Sequence, residues 1–173
     1  MVDLVEEKAK EFYGELYDAV TTDRRETIED WQDREAECLN YPDYYEDKNF
    51  VVDLDSMIEI KNRVVASIKY KPDTGNYYQT SCETEARGMG DCEDIAIAIW
   101  KELRDAGFPD NIIGIGIARN DRGQCHAFAI VYYTTEDLYI LDSNFWGVVD
   151  SVQLDGSVNF LVGFNLFSTW DFD

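Results

Sequence analysis

The 173-residue sequence predicts an α+β fold, in which helices come first and an antiparallel sheet follows, packed on the helix that carries Cys92. Two observations support this prediction. Apolar residues recur at three- and four-residue steps before about residue 110, and they alternate with a period of two beyond it. In addition, no repeat, low-complexity tract or linker interrupts the chain. We therefore expect residues 1–173 to form a single domain.

Helices are expected where apolar side chains fall on one helical face. The best-marked helix opens after Asp91, and Gly107 with Pro109 beyond it provides the usual stop signals. The expected helices are 2–20, Thr27–Cys38, one from an N-cap at Asp55 or Ser56 to about Lys71, and one from Gly90–Asp94 to Gly107.

Strands are expected beyond residue 110, where short apolar stretches alternate with turn residues. The segments Asn120–Gly123 and Thr134–Asp137 have turn composition and separate neighbouring strands into hairpins. The expected strands are Ile112–Ala118, Cys125–Tyr133, Leu138–Asp142 and Val158–Phe167, with Val148–Leu154 as a weaker fifth.

The charge of the chain excludes two classes of partner. It has 36 acidic and 15 basic residues, which gives a formal net charge of −21 at pH 7. Such a surface repels phosphate backbones and anionic lipid headgroups. We therefore expect neither a nucleic acid nor a membrane as partner, and a basic protein or peptide is favoured.

The sequence contains no recognisable membrane-spanning or export segment. No apolar run approaches the roughly 20 residues of a transmembrane helix, and the amino-terminal residues mix acids with lysines. The expectation is therefore a cytoplasmic protein with reduced cysteines. With one histidine and no CxxC spacing, a structural zinc site is not expected. The four cysteines are Cys38, Cys82, Cys92 and Cys125.

Cys92 has the local environment of a reactive thiol. If Asp91 is the N-cap, Cys92 is the first residue of the helix, beside unpaired backbone N–H groups and the positive end of the helix dipole. Asp94 stands where a capping-box carboxyl reaches back to the N-cap. These surroundings favour the thiolate, which is the nucleophilic form. The alternative is that Cys92 is a small apolar residue packed beneath the sheet.

The only histidine, His126, opens an apolar strand, and Asp142 ends the next one. A hairpin about Thr134–Asp137 makes these two residues opposite or diagonal neighbours. They then complete a Cys-His-Asp triad, in which Cys92 attacks a carbonyl, His126 accepts and returns the proton, and Asp142 fixes the tautomer. The alternative is a structural histidine satisfied by a hydrogen bond. Cys125 is a poor second nucleophile, because strand alternation points it away from the His126 face.

This triad leads to three expectations about chemistry. The helix start and an imidazolium at His126 should together stabilise the Cys92 thiolate at neutral pH. Cys92→Ala and His126→Ala should each abolish turnover without unfolding the chain. Asp142→Asn should be milder, because an amide can still hold one tautomer of the histidine.

Several separated segments of the sequence match one known pattern. The matching segments are Gly90–Asp94, Leu103–Gly107, His126-Ala127 and Leu141-Asp142, with Ile60–Asp73 upstream and Asn159–Trp170 downstream. In this order they resemble the bacterial transglutaminase-like cysteine proteinases of the papain-like superfamily. The resemblance covers about residues 57–170, and it leaves residues 1–56 as an N-terminal helical extension.

The resemblance implies a transglutaminase-like fold and thiol-dependent hydrolysis of amide bonds in a protein or peptide, through an acyl-enzyme. By matching positions it assigns Cys92, His126 and Asp142 as the catalytic triad. The sequence departs from the family pattern at Tyr78, where tryptophan is more common, and at Cys82, where proline is frequent. Both departures bear on the substrate groove rather than on the triad.

The resemblance also raises the question of calcium. Some relatives require calcium bound by acids that flank the cysteine, and Asp91, Glu93 and Asp94 match those acids. Helix capping accounts for two of the three without a metal. We therefore expect no required cofactor, and calcium at these acids is a secondary hypothesis.

Two other function classes remain open from the sequence. One is a transglutaminase-like module that binds a protein, or serves in an assembly such as a phage particle, without turnover. The other is an acyltransferase, in which an amine instead of water resolves the thioester. A complete triad favours an enzyme, since a binding module has no need of all three chemical groups. Groove shape and acceptor access decide between hydrolysis and transfer.

Overall fold

The structure is a computed structural model, and it describes residues 24–72, 77–119, 125–144, 147–154 and 159–172. The helix expected over residues 2–20 lies outside the described residues. The helices are α1 (Arg24–Cys38), α2 (Leu54–Ser67), α3 (Ser81–Arg87), α4 (Cys92–Asp105) and α5 (Ser151–Leu154). The strands are β1 (Lys69–Tyr70), β2 (Met89–Gly90), β3 (Ile113–Arg119), β4 (Cys125–Tyr132), β5 (Leu138–Leu141), β6 (Val149–Asp150), β7 (Asn159–Phe164) and β8 (Thr169–Asp171).

The six carboxyl-terminal strands form one antiparallel sheet in the order β6-β5-β4-β3-β7-β8. A separate pair, β1 and β2, runs parallel and joins the end of α2 to the segment just before α4. The α+β class predicted from the change of period near residue 110 is therefore confirmed. In the described part of the chain, no helix has the length and apolar character needed to cross a bilayer.

Helix α4 packs on one face of the sheet, and strand alternation decides which residues of β4 meet it. Cys125 and Ala127 share the core with the helix, whereas Phe128 packs in a smaller cluster on the opposite face. The main core contains residues from both sides of residue 110. For example, Trp31 of α1 makes edge contacts with Trp100 of α4, with ring centroids 5.7 Å apart, and with Phe164 of β7, at 5.4 Å.

The start of α2 lies two or three residues before the predicted one. The N-cap is Asp53, whose Oδ1 accepts a hydrogen bond from the backbone N–H of Asp55 at 3.2 Å. Its Oδ2 accepts another from the Ser56 hydroxyl at 2.7 Å. Asp55 and Ser56 are therefore the first-turn residues that the cap binds, and the expectation that either was the cap is wrong.

Helix α3 was not predicted, although its start signal is in the sequence. Thr80 and Glu83 form a capping box, in which the Glu83 N–H donates to Thr80 Oγ1 at 3.2 Å and the Thr80 N–H donates to Glu83 Oε1 at 3.1 Å. The helix ends at Gly88, whose φ of 67° lies in the left-handed region that glycine accepts readily. This short helix lies directly before the segment that leads into α4.

Two of the predicted strands are too long by three or more residues. Only Val149–Asp150 of the weak fifth strand is extended, and the chain then turns into α5. The last predicted strand stops at Phe164, because Asn165 turns the chain into β8. The Asn165 Oδ1 accepts from the N–H groups of Phe167 at 2.9 Å and Ser168 at 3.0 Å, which is the asparagine turn chemistry that competes with a strand ladder.

The expectation that all four cysteines are reduced is wrong for two of them. Cys38 at the end of α1 and Cys82 in α3 form a disulfide across 44 residues, with Cα atoms 6.1 Å apart. The reason is tertiary, since packing of α1 beside α3 brings two distant cysteines together. Cys92 and Cys125 are not disulfide-bonded. The cytoplasmic location remains a prediction, and a disulfide weighs against it, because such bonds persist mainly in oxidising compartments.

Candidate active site

Cys92 is the first residue of α4, as the sequence predicts, with Asp91 as the N-cap. The Asp91 N–H donates to Asp94 Oδ2 at 3.1 Å, which is the backward half of a capping box. Gly90 makes this close turn possible, since a Cβ at that position would lie 2.5 Å from the Cβ of Asp94. The helix start is therefore fixed by neighbouring residues of the GDCED segment itself.

The Cys92 sulfur is buried, with a relative exposure of 4% for the residue. Its thiol donates to Glu93 Oε2 at 3.2 Å, and the sulfur accepts a hydrogen bond from the backbone N–H of Ala127, the residue after His126. Burial, followed by the negative charge of Glu93, raises the pKa of Cys92 well above its usual range. In this geometry burial and the Glu93 carboxylate favour the neutral thiol, and the stabilisation of the thiolate by the helix start and an imidazolium stays a prediction.

His126 and Asp142 meet at the same end of the sheet, as the hairpin argument predicts. Ala129 lies opposite Leu141, so Asp142, one residue beyond, comes opposite Phe128 and diagonal to His126. His126 Nε2 and Asp142 Oδ2 are 2.7 Å apart, and the two residues have relative exposures of 2% and 1%. The longer-loop, diagonal arrangement is therefore the one that the structure adopts.

Asp142 is held as a carboxylate by its neighbours. Burial by itself raises its pKa, but the charge of His126 and hydrogen bonds from His126 and Asn144 lower the pKa below the usual value. Asn144 donates twice to Asp142 Oδ1, from its backbone N–H at 3.0 Å and from Nδ2 at 2.9 Å. An asparagine two residues after an acid is a turn signal, and it could have indicated this contact from the sequence.

Lys61 is a second residue that sequence reasoning missed. It lies on α2, and its Nζ donates to the backbone carbonyl of Gly147 at 2.6 Å. The available signal is its position, since Lys61 follows Met57 by four residues and precedes Val64 by three, on the buried stripe of the helix. A lysine on such a stripe is rare enough to mark a specific role.

The acids beside the cysteine form a buried cluster. Burial raises the pKa of Asp91 to about 10, with further contributions from Glu93 and Asp94. Asp94 also accepts from Gln79, from its N–H at 2.8 Å and its Nε2 at 2.6 Å, so α4 is tied to the segment before α3. Asp91 Oδ1 is buried without a hydrogen-bond partner. As the side chains stand, no three His, Cys, Asp or Glu residues in the described ranges converge on one metal position.

Comparison with known proteins identifies the family. The profile of the bacterial transglutaminase-like cysteine proteinases matches residues 20–153. The chain belongs to this family. It is a cysteine peptidase with a transglutaminase-like fold, as the resemblance implied. A search of curated protein sequences found no match.

Solved structures of LapG from Legionella pneumophila share the fold of this proteinase. One matches with a TM-score of 0.62 and 20% identity, covering 98% of this chain and 87% of LapG. An EGTA-treated form gives 0.63 and 20%, covering 99% and 86%. A calcium-bound form gives 0.61 and 21%, covering 98% and 87%.

The two departures from the family pattern have structural roles in this proteinase. Tyr78 is buried and stacks on Phe164, with ring centroids 6.1 Å apart. Cys82 is the partner of Cys38 in the disulfide. Both positions therefore hold the segment before α4 against the rest of the core. Cys125 packs in the core on the α4 side of the sheet, in agreement with the sequence prediction.

Proposed function

We propose that this cysteine peptidase cleaves an amide bond of a protein or peptide through a triad of Cys92, His126 and Asp142, by way of an acyl-enzyme. The observation that carries the proposal is the 2.7 Å hydrogen bond between His126 Nε2 and Asp142 Oδ2. It is supported by the Cys92 sulfur, which accepts a hydrogen bond from the backbone N–H directly after His126. A buried His-Asp pair beside a thiol is the arrangement that nucleophilic catalysis requires.

The tautomer of His126 sets the direction of proton transfer. Because the Asp142 carboxylate accepts from Nε2, Nε2 carries the hydrogen and Nδ1 is the nitrogen that takes the proton of the Cys92 thiol. The thiolate then attacks the carbonyl carbon, and the backbone N–H of Cys92 at the helix start stabilises the oxyanion. In the described state the thiol donates to Glu93, so it must turn from that carboxyl toward the imidazole.

In the remaining steps the acyl group passes from the amide to Cys92 and then to water. The tetrahedral intermediate collapses as the C–N bond breaks, and the imidazolium gives its proton to the leaving amine. Cys92 is left as a thioester. His126 next removes a proton from water, which attacks the thioester carbonyl, and the carboxylic acid product leaves as the thiol is restored.

Alkylation by iodoacetamide tests the triad without knowledge of the substrate. We expect Cys92 to be labelled in the wild type and in Cys125→Ser, and no comparable labelling in Cys92→Ala. His126→Ala should slow the reaction by about 100-fold, because no base then removes the thiol proton. Equal labelling rates in the wild type and His126→Ala would contradict the proposal and favour a module without turnover.

We further propose that Asp91, Glu93 and Asp94 bind one calcium ion. Their carboxylate oxygens are ligands of the kind that calcium takes, and Asp91 Oδ1 is buried without a hydrogen-bond partner. In the cluster the pKa of Asp91 is raised to about 10, which means that a proton offsets part of the buried negative charge. A divalent cation would supply that compensation after rotation of the side chains. Calcium in a LapG structure lends support.

Thermal unfolding with excess calcium or with a chelator tests this second proposal. At calcium about 100 times above Kd, the free energy of unfolding should rise by about 2.7 kcal/mol. Asp91→Asn should abolish the increase, whereas Glu85→Gln, which changes an exposed acid on α3, should keep it. An unchanged melting temperature in the wild type leaves these acids as helix caps only.

A further inference from the structure

Lys61 is a fully buried cation beside the candidate triad. Its relative exposure is 0%, and it is among the largest side chains that the core completely encloses. Its Nζ donates to the Gly147 carbonyl at 2.6 Å. Gly147 belongs to the connection between β5 and β6, and this connection begins with Asp142. One side chain of α2 thus holds the segment that carries the triad acid.

The positive charge of Lys61 is also suited to a position near the Asp142 carboxylate. Burial lowers the pKa of Lys61 to about 8, and the negative charge of Asp142 opposes that lowering. A buried ammonium is costly unless it is paired and hydrogen-bonded, so a lysine here is not explained by filling space. An apolar side chain of the same length would fill the same volume without the desolvation cost.

We propose that Lys61 is a positioning residue for Asp142, which keeps the carboxylate on Nε2 of His126 by anchoring the following segment at Gly147 and by balancing the carboxylate charge. This inference rests on the proposed function, in which Asp142 orients His126. Asn144 holds Asp142 Oδ1 from within the same connection, whereas Lys61 ties that connection to a separate helix.

The groups that surround this pair belong to several elements. On the triad side, His126 of β4 lies 2.7 Å from Asp142, and the Asp142 carboxylate is the charge that acts on Lys61. At the outer side of α2, Arg63 pairs with Glu102 of α4 at 3.6 Å. Arg63 is therefore a matched control, because it is a cation on the same helix whose side chain is 60% exposed and pairs with Glu102.

The single histidine makes the test direct, since every imidazole nitrogen signal in the chain belongs to His126. In a Cys92→Ala background, nitrogen NMR should show one neutral tautomer with the hydrogen on Nε2. Adding Lys61→Met should bring the chemical shifts of Nδ1 and Nε2 toward a common average. The ring then exchanges between its two tautomers, because Asp142 no longer holds it. Lys61→Gln, whose amide can still donate to the Gly147 carbonyl, should restore part of the difference between the two nitrogen chemical shifts. Arg63→Met should leave the spectrum unchanged.

Reactivity provides the second readout. With Cys92 present, Lys61→Met should slow alkylation by iodoacetamide about tenfold or more, as expected for a misplaced catalytic group, and Arg63→Met should not. A folded Lys61→Met protein with the single Nε2 tautomer and the wild-type alkylation rate would overturn the inference and leave the triad intact. Two mixed tautomers in Cys92→Ala with Lys61 present would instead refute the orienting role of Asp142, and with it the proposed function.

A measurement on the unchanged lysine covers the case in which both Lys61 variants fail to fold. When the pH of the Cys92→Ala protein is raised, Lys61 loses its charge with a midpoint near its pKa of about 8. The chemical shift of His126 Nε2 should then change around that midpoint, because the positive charge that balances Asp142 disappears. A flat signal between neutral and alkaline pH would contradict the inference.

Discussion

At the scale of single residues, the Asp142 carboxylate is held by hydrogen bonds on both of its oxygens. Oδ2 faces His126 Nε2 at 2.7 Å, and Oδ1 accepts two hydrogen bonds from Asn144, at 3.0 Å and 2.9 Å. Both oxygens are therefore committed as acceptors. An amide has only one acceptor oxygen, and its other side is an NH₂ group that donates, so it cannot accept on both sides.

This geometry changes the expectation for Asp142→Asn. The two donors of Asn144 should hold the single amide oxygen, and the NH₂ group would then face Nε2 and force the hydrogen onto Nδ1. That tautomer cannot accept the proton of the Cys92 thiol, so alkylation by iodoacetamide should fall by about 100-fold or more, not mildly. The double variant Asp142→Asn with Asn144→Ala should recover part of the rate, since one competing donor is gone. A single variant with nearly wild-type reactivity would show that the amide keeps its oxygen toward His126.

At the scale of elements, α3 acts as the link between α1 and the start of α4. Cys82 joins it to Cys38 of α1, and the Ser81 N–H donates to Glu35 Oε2 of α1 at 2.8 Å. Just before α3, Gln79 donates twice to Asp94 in the first turn of α4. The position of the start of α4, which carries Cys92, therefore depends on a short helix and on its covalent tie to α1.

Removal of this covalent tie should lower stability more than local packing alone would suggest. By the loop-closure argument, a disulfide that closes a loop of 44 residues stabilises the folded state by up to about 4 kcal/mol. Cys38→Ser with Cys82→Ser should therefore lower the free energy of unfolding by about 2–4 kcal/mol in urea titrations. A reducing agent should lower the stability of the wild type to a similar level and leave the double variant unchanged. If reduction destabilises both proteins equally, another group is responsible.

The elements also show what could be predicted from the sequence. The place of Cys92 at a helix start and the contact between His126 and Asp142 follow from local patterns, because a helix cap and a hairpin are set by residues close together in the chain. The Cys38–Cys82 disulfide and the Lys61 contact join residues 44 and 86 positions apart, and only the packing of distant helices determines them. Helix α3 was missed for another reason, since seven residues give too short a pattern and only the capping box marks it.

At the scale of the whole molecule, a strongly acidic chain buries several of its acids at defined places. The net charge is −21, yet Glu35, Asp110 and Asp142 are almost completely enclosed, as are the acids beside Cys92. Each of the three has named partners: Ser81 for Glu35, Arg104 for Asp110 at 2.9 Å, and His126 for Asp142. Buried carboxyl groups thus connect α1, α4 and the sheet. The repulsion between like charges acts among the exposed acidic side chains.

The disulfide has a consequence for how a nicked molecule would behave. Cys38 and Cys82 enclose the exposed connection between α1 and α2, which includes Tyr41 and Val51, within a covalent ring. A single backbone cut in that connection opens the ring without releasing either piece, so α1 stays attached beside α3. On a denaturing gel such a molecule runs as one band until a thiol reagent is added, and then separates into two. A denaturing gel therefore shows whether the backbone of this protein is intact only when the sample has been reduced.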